Sequence, residues 1–217
     1  MGTGTTLARR YVAAILCVAL GGCSFGPQKY SSEQHQVISL KTGDLEASSV
    51  ALITPSTVTG QEEERQAVAL TFAEVFKTER PKIRIVSLAE TVGAINKAGL
   101  ADDYRRMYQD YRDTGIFRRD TLQKLGELTG ARYVAQLKLA GFVQESSSRF
   151  SALGLRVVET KRATVRLFLQ IWDTTNGTVA WEGLQETSFS EEAISEQRVT
   201  LRAVLSEASA ALVRLLP

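Results

Sequence analysis

The chain has 217 residues, of which 44% are hydrophobic and 23% are charged, with 16 glycines and 4 prolines. This composition predicts one folded domain with a sizeable core, and it excludes a collagenous, low-complexity or wholly disordered chain. The 26 basic and 24 acidic side chains nearly balance, so the net charge gives no reason to expect nucleic-acid binding.

The first 23 residues have the pattern of a bacterial lipoprotein signal. Two arginines precede residues 11–20 (YVAAILCVAL), an apolar run that is too short to cross a bilayer, which needs about 20 residues. The run ends in residues 20–23 (LGGC), which resemble the lipobox: an aliphatic residue, two small residues, and the cysteine whose thiol takes diacylglycerol. The sequence therefore predicts a signal peptide over residues 1–22 and lipidation of Cys23.

The residues that follow the predicted lipidation site indicate where the anchor lies. Ser24 occupies the position at which an aspartate commonly retains lipoproteins at the inner membrane, so we expect an outer-membrane anchor with the domain facing the periplasm. Residues 23–36 are interpreted as the lipidated N-terminus and a short tether, because the segment is polar and lacks apolar periodicity. Fully extended, this tether reaches at most ~45 Å. Residues 37–217 are interpreted as a single periplasmic domain.

Residue types that carry chemistry are scarce. Without the signal peptide the chain keeps one cysteine, Cys23, and one histidine, His35, so no intrachain disulfide, Ser-His-Asp set or zinc cluster is possible. Glycine-rich phosphate-binding motifs do not occur. The sequence therefore predicts a protein that is not an enzyme and has no cofactor or metal, with an unrecognised carboxylate hydrolase as an alternative.

Apolar periodicity predicts strands and helices that follow one another from residue 37 onward. Capping boxes at Thr59–Glu62 and Ser87–Glu90 are expected to open two of the helices. The fold class is α/β (α+β), with a mixed or antiparallel sheet of about 4–5 strands packed with helices and a long C-terminal helix. The predicted strands are 37–40, 49–54, 83–88, 132–142, 163–172 and 178–189, and the predicted helices are 59–79, 88–98, 101–113, 120–129 and 191–216.

The third predicted helix carries a stripe of aromatic residues. Tyr104, Met107, Tyr108 and Tyr111 recur at helical spacing, which places them on one face. Such a stripe either binds a partner or packs on the rest of the domain, and packing is the preferred interpretation.

Two blocks of sequence carry a family resemblance. A leucine-rich helix runs into residues 128–134 (LTGARYV), and residues 171–181 (IWDTTNGTVAW) form a hairpin whose Asn-Gly pair favours a tight turn. With residues 49–55, these blocks resemble the periplasmic domains of the CsgG, LpoB and TolB N-terminal-like families, over about residues 48–216. The resemblance implies an α/β fold and a non-enzymatic role in the bacterial envelope.

The resemblance and the predicted anchor imply an envelope assembly or scaffolding component that acts through protein–protein interaction. Its partners would be the membrane, through the lipid, and another envelope protein or further copies of the chain. One alternative is an LpoB-like regulator of a peptidoglycan synthase, which the short tether disfavours. Another is a subunit of a CsgG-like secretion pore, which residues 143–149 (VQESSSR) disfavour because they are apolar on neither face.

Residues 143–162 separate two predicted strands and are the predicted partner surface. A minimal hairpin would need only a few residues here, and the segment is locally basic, with four basic and two acidic side chains. The segment either folds back on the sheet or projects towards a neighbouring subunit or another envelope protein. The predicted partner-binding residues are Phe150, Leu153, Leu155 and Val157.

Overall fold

The computed structural model describes residues 28–150, 156–193 and 200–217. It contains seven strands and six helices over these residues. The strands are β1 (Gln28–Val37), β2 (Val50–Leu52), β3 (Ser56–Thr57), β4 (Ile85–Val86), β5 (Tyr133–Phe150), β6 (Arg156–Asp173) and β7 (Thr178–Ala193). The helices are α1 (Asp44–Ala47), α2 (Glu62–Glu79), α3 (Leu88–Lys97), α4 (Ala101–Thr114), α5 (Arg119–Thr129) and α6 (Leu201–Arg214).

All seven strands belong to one mixed sheet, in the order β1-β7-β6-β5-β2-β4, with β3 also paired to β5. Strands β1, β7, β6 and β5 are antiparallel neighbours, whereas β2 runs parallel to both β4 and β5. The predicted α/β class with a mixed sheet is therefore confirmed. The strand count exceeds the expected four to five: β3, of two residues, was not expected from the sequence, and β1 lies in the segment that was interpreted as a tether.

Helices cover both faces of the sheet and create two separate cores. Helices α2 and α6 pack on one face around Phe72, Phe76 and Trp181. Helices α3, α4 and α5 pack on the other face around Met107, Phe117 and Trp172. The rings of Phe117 and Trp172 lie edge to face, with their centroids 5.1 Å apart. No helix among the described residues is long and apolar enough to span a membrane.

Strand β1 corrects the prediction of a tether that extends to residue 36. Residues 28–37 pair with β7 in an unbroken antiparallel register from Gln28↔Ser190 to Val37↔Trp181. Backbone hydrogen bonds rather than burial hold this edge strand, since its residues 29–37 are all exposed and show no apolar alternation. The only histidine, His35, is stacked near Trp181 with ring centroids 6.3 Å apart.

The C-terminal helix is shorter than the sequence suggested. The prediction placed its start at Glu191, but residues 191–193 end strand β7 and pair with residues 159–161 of β6. Residues 194–199 lie outside the described residues. Helix α6 has Thr200 as its N-cap, whose hydroxyl accepts a hydrogen bond from the Ala203 backbone N–H at 3.3 Å.

Helix starts were only partly predicted. The capping box at Ser87 and Glu90 is confirmed, with both reciprocal hydrogen bonds present. The box at Thr59 is wrong: α2 begins at Glu62 without a side-chain cap, and the Thr59 hydroxyl donates to the Glu64 carboxylate instead. Leu128, in the leucine-rich helix, is exposed because it lies on the solvent side of α5.

A buried carboxylate organises the turn between β6 and β7. Asp173 is 3% exposed and accepts hydrogen bonds from the Arg132 guanidinium at 2.8 Å and from the Thr175 backbone N–H at 2.9 Å. Burial alone would raise the pKa of Asp173, but these two hydrogen bonds outweigh it and hold the pKa below its ordinary value of 3.8. Gly177 completes the turn with a φ of 76°, which favours glycine.

We expect Asp173→Asn to lower the free energy of unfolding by about 2 kcal/mol at neutral pH, because it weakens a charge-assisted hydrogen bond. Since folding lowers the pKa of this carboxyl, its contribution is present above the unfolded-state pKa and is lost as the pH falls through the folded-state pKa. Urea unfolding at neutral and strongly acidic pH measures both effects. Glu186→Gln is the control, because the similar Arg166–Glu186 pair is solvent-exposed and is expected to contribute little. An equal loss at both pH values would contradict this assignment.

Candidate functional site

The long strands β5, β6 and β7 form an arm at one end of the sheet. One row of paired residues crosses the strands β1, β7, β6 and β5. In this row Gln28 pairs with Ser190, Ser190 with Arg162, and Arg162 with Glu145. Beyond this row β7 continues to Ala193, and β5 and β6 continue as a two-stranded hairpin to Phe150 and Arg156. We define the arm as the described residues beyond this row, namely 146–150, 156–161 and 191–193. The pairing of β5 with β6 runs from Tyr133 to Phe150 with two register shifts, so the described residues of the segment 143–162 are strand.

Only part of the predicted site lies within the described residues. Phe150 ends β5, and Val157 is the second residue of β6, so the backbone brings both to the tip of the arm. A register shift between Arg149 and Phe150 interrupts the pairing there. Cys23, Leu153 and Leu155 lie outside the described residues, and their roles stay predictions.

The base of the arm is less basic than the sequence segment alone indicated. Strand β7 brings Glu191 and Glu192 into register with Lys161 and Thr160 of β6. These two acids were assigned to a helix from the sequence, so their position beside the arm could not be anticipated. With them included, the excess of basic residues is confined to the tip, residues 149–158 (RFSALGLRVV), which contain two arginines and no acid.

The tyrosine stripe of α4 packs on the domain, as preferred from the sequence. The Tyr108 hydroxyl donates to the Thr54 carbonyl at 2.6 Å, and the Thr54 N–H donates to the Tyr104 hydroxyl at 3.0 Å. The Tyr111 hydroxyl donates to the Gln170 side-chain oxygen at 3.0 Å. Burial raises the pKa of Tyr104 and raises that of Tyr108 well above its ordinary value, so both hydroxyls stay protonated and able to donate.

A groove of about 620 Å³ lies between α4 and the β3–β5 edge of the sheet. Its basic lining residues fall into two groups. Arg105 and Arg112 pair with acids on their own helix, whereas Arg65 and Lys138 form no ion pair among the described residues. The groove therefore presents two uncompensated cations, which suit a carboxylate or phosphate group. Arg65 and Lys138 were missed from the sequence, because only the fold brings α2 and β5 to the same groove.

The described residues include no group of three histidine, cysteine or acidic residues that could hold a metal ion. The acidic residues with lowered pKa values are partnered by basic or capping groups, as Glu79 is by Arg214 and Asp120 is by Arg118. These are structural contacts.

Comparisons with known proteins find solved structures of similar fold but no matching family. No family model and no curated protein matches the chain. Similar solved structures include the PelC dodecamer from Paraburkholderia phytofirmans, at 11% identity and a TM-score of 0.47, over 85% of this chain and 95% of that one. They also include lipoprotein GNA1162 from Neisseria meningitidis, at 16% identity and a TM-score of 0.42, over 77% of this chain and 96% of that one.

The LpoB C-terminal domain from Salmonella enterica, one of the families named from the sequence, is also among the similar structures. It is 19% identical, with a TM-score of 0.38, over 64% of this chain and 82% of that one. Bacterial lipoproteins are therefore among the solved structures that this chain resembles. At these identities and TM-scores, the similarity carries no argument about activity or partner.

We expect Tyr108→Phe to lower the free energy of unfolding by about 1–2 kcal/mol, because it leaves the Thr54 carbonyl without its hydroxyl donor. Thermal or urea unfolding measures the change. Tyr30→Phe is the matched control, since Tyr30 is 67% exposed and its hydroxyl supports no described core contact. Equal stability of the two variants would show that the Thr54 contact does not hold α4 against the sheet.

Proposed function

We propose that this protein is a non-enzymatic, lipid-anchored periplasmic protein of the outer membrane that serves as an envelope assembly or scaffolding component. The observation that carries the proposal is a lipobox-like segment, residues 20–23, followed within five residues by strand β1 of a domain whose strands β5 and β6 extend into a long arm. A scaffold needs an anchor and exposed contact surfaces, and it needs no catalytic groups.

The contact residues that we propose lie at the tip of the arm. Phe150 and Val157 are near neighbours along the hairpin, and Leu153 and Leu155 lie between them in the sequence. The helices that bury the rest of the sheet pack on its other end, around residues such as Leu169 and Trp181. This separation supports an arm that projects rather than one that serves the core.

The length of the tether bears on the alternative role as an LpoB-like regulator of a peptidoglycan synthase. Because Gln28 already belongs to β1, at most residues 23–27 separate the proposed anchor from the folded domain. Their reach is at most ~18 Å, compared with the ~45 Å expected for a tether that ends at residue 36. A domain held this close to its anchor is poorly placed to cross the peptidoglycan, which favours the scaffold.

We expect Cys23→Ala to abolish membrane anchoring. The thiol is the proposed attachment atom for the lipid, so the variant should accumulate as an unprocessed precursor or a released domain. Fractionation of outer membrane and periplasm, with mass spectrometry of the N-terminus, measures the outcome. Ser24→Ala is the control and should remain anchored, because it keeps the cysteine and introduces no retention signal. A processed outer-membrane species of Cys23→Ala would refute the lipoprotein assignment.

We expect Leu155→Asp to leave thermal unfolding unchanged, because a projecting arm contributes no core packing. A photocrosslinker at position 157 should give an adduct in cells with the protein that contacts the arm. Leu155→Asp should reduce the yield of this adduct. Leu167→Asp is the contrasting variant, since Leu167 is fully buried in β6 and a charge there should unfold the domain. A large fall in melting temperature for Leu155→Asp would support the alternative arm that folds back on the sheet.

A further inference from the structure

The groove between α4 and the β3–β5 edge of the sheet is separate from the arm and is long enough for a short peptide. Along α4 it is lined by Tyr104, Tyr108 and Arg112, which lie on successive turns and span about 12 Å. An extended peptide covers this distance with about four residues. The volume of the groove, about 620 Å³, is within the range of ligand-binding clefts. The groove can therefore hold a short extended segment that lies along the helix.

Hydrogen bonds hold both walls of the groove in place. On the helix side, the Tyr108 hydroxyl donates to the Thr54 carbonyl at 2.6 Å, and the Thr54 N–H donates to the Tyr104 hydroxyl at 3.0 Å. On the sheet side, the side-chain amide of the buried Gln136 donates to the Ser56 hydroxyl at 3.1 Å and so holds β3 beside β5. A groove with fixed walls lowers the conformational entropy that binding costs.

The charged side chains that line the groove all have the same sign. Four of the described lining residues are basic and none is acidic. Two of the four, Arg105 and Arg112, form exposed ion pairs with acids of α4, whereas Arg65 and Lys138 pair with no described acid. The Arg65 Nε–H is buried and has no acceptor among the described residues. Its guanidinium group can therefore turn towards an anion without losing an ion pair or a hydrogen bond.

The other lining residues suit a peptide better than a bare anion. The rings of Tyr104, Tyr108 and Tyr111 and the side chain of Pro55 supply apolar contact area beside the cations, and Thr57 supplies a hydroxyl. Tyrosine and arginine are enriched where proteins contact one another, because each combines a large contact area with a polar group. A phosphate ion would use only the cations, whereas an acidic peptide would use the rings and the hydroxyl as well.

We propose that this groove binds an extended, acidic peptide segment of a partner protein. Carboxylates of the segment pair with Arg65 and Lys138, and its backbone and apolar side chains pack along the tyrosine rings of α4. The site goes beyond the proposed function, because it requires neither the lipid anchor nor the arm. It gives the domain a second contact surface, which selects its partner by charge.

The test selects binders from a display library of short random peptides, with the full chain in detergent as the target. Arg65→Gln and Lys138→Gln each remove one of the cations that we assign to the site. Lys97→Gln is the matched control, because Lys97 is exposed and does not line the groove. Thermal unfolding verifies that the variants are folded. Since Lys138 is exposed, its variant keeps the test decisive even if Arg65→Gln is unstable.

We expect the selected peptides to be enriched in aspartate and glutamate relative to the library. They should bind about tenfold more weakly to Arg65→Gln and to Lys138→Gln, because each variant loses a charge-assisted hydrogen bond, and they should bind Lys97→Gln unchanged. Selection without acidic enrichment would overturn the proposal, as would equal binding to all three variants.

A separate titration distinguishes a peptide from a phosphate ion. Inorganic phosphate alone should bind the full chain much more weakly than the selected peptides, because it makes no contact with the tyrosine rings. Phosphate that binds as tightly as the peptides, and that loses affinity in Lys138→Gln, would assign the groove to a phosphate and overturn the proposal. None of these outcomes depends on whether Cys23 carries a lipid, so a failure here is distinct from a failure of the proposed function.

Discussion

The antiparallel pairing of β1, β7, β6 and β5 is the constraint on which the rest of the structure depends. It pairs Gln28 with Ser190 and continues without a break to Val37 opposite Trp181. The side chains of β1 add contacts to this ladder: the Gln185 amide donates to the Ser31 hydroxyl at 2.6 Å, and Lys29 pairs with Glu207. A shift of one residue would move the strand by about 3.3 Å and turn its side chains to the opposite face, so these contacts and the ladder specify the same register.

The two helical layers explain why the sheet can carry an arm at all. Leu167, Leu169 and Trp181 are fully buried under α2 and α6, so the sheet end near the β6–β7 turn is held by a continuous core. On the other face, the Tyr108 hydroxyl ties α4 to the Thr54 carbonyl, and burial of the phenol keeps it protonated. A rigid base of this kind lets β5 and β6 extend past Arg162 as a paired ribbon.

Sequence patterns predicted the elements that bury apolar side chains and missed those that do not. Strands β5, β6 and β7 were predicted over most of their length because alternation marks a half-buried strand, and the box at Ser87 was predicted because its partners are three residues apart. Strand β1 was missed because its exposed side chains show no apolar alternation. Residues 191–193 were assigned to a helix because their acids resemble a first helical turn, whereas their partners in β6 are about 30 residues away in sequence. Arg65 and Lys138 were missed for the same reason, since no local pattern brings α2 and β5 to one groove.

Shortening the tether changes what kind of protein this chain can be. A long polar tether would let the domain sample many orientations and reach distant partners, at a low effective concentration for any one contact. Because β1 includes Gln28, at most five residues would separate the proposed lipid on Cys23 from the sheet. The proposed anchor would therefore hold the domain close to its membrane, which suits a scaffold that acts on neighbouring envelope proteins better than a regulator that must reach a distant one.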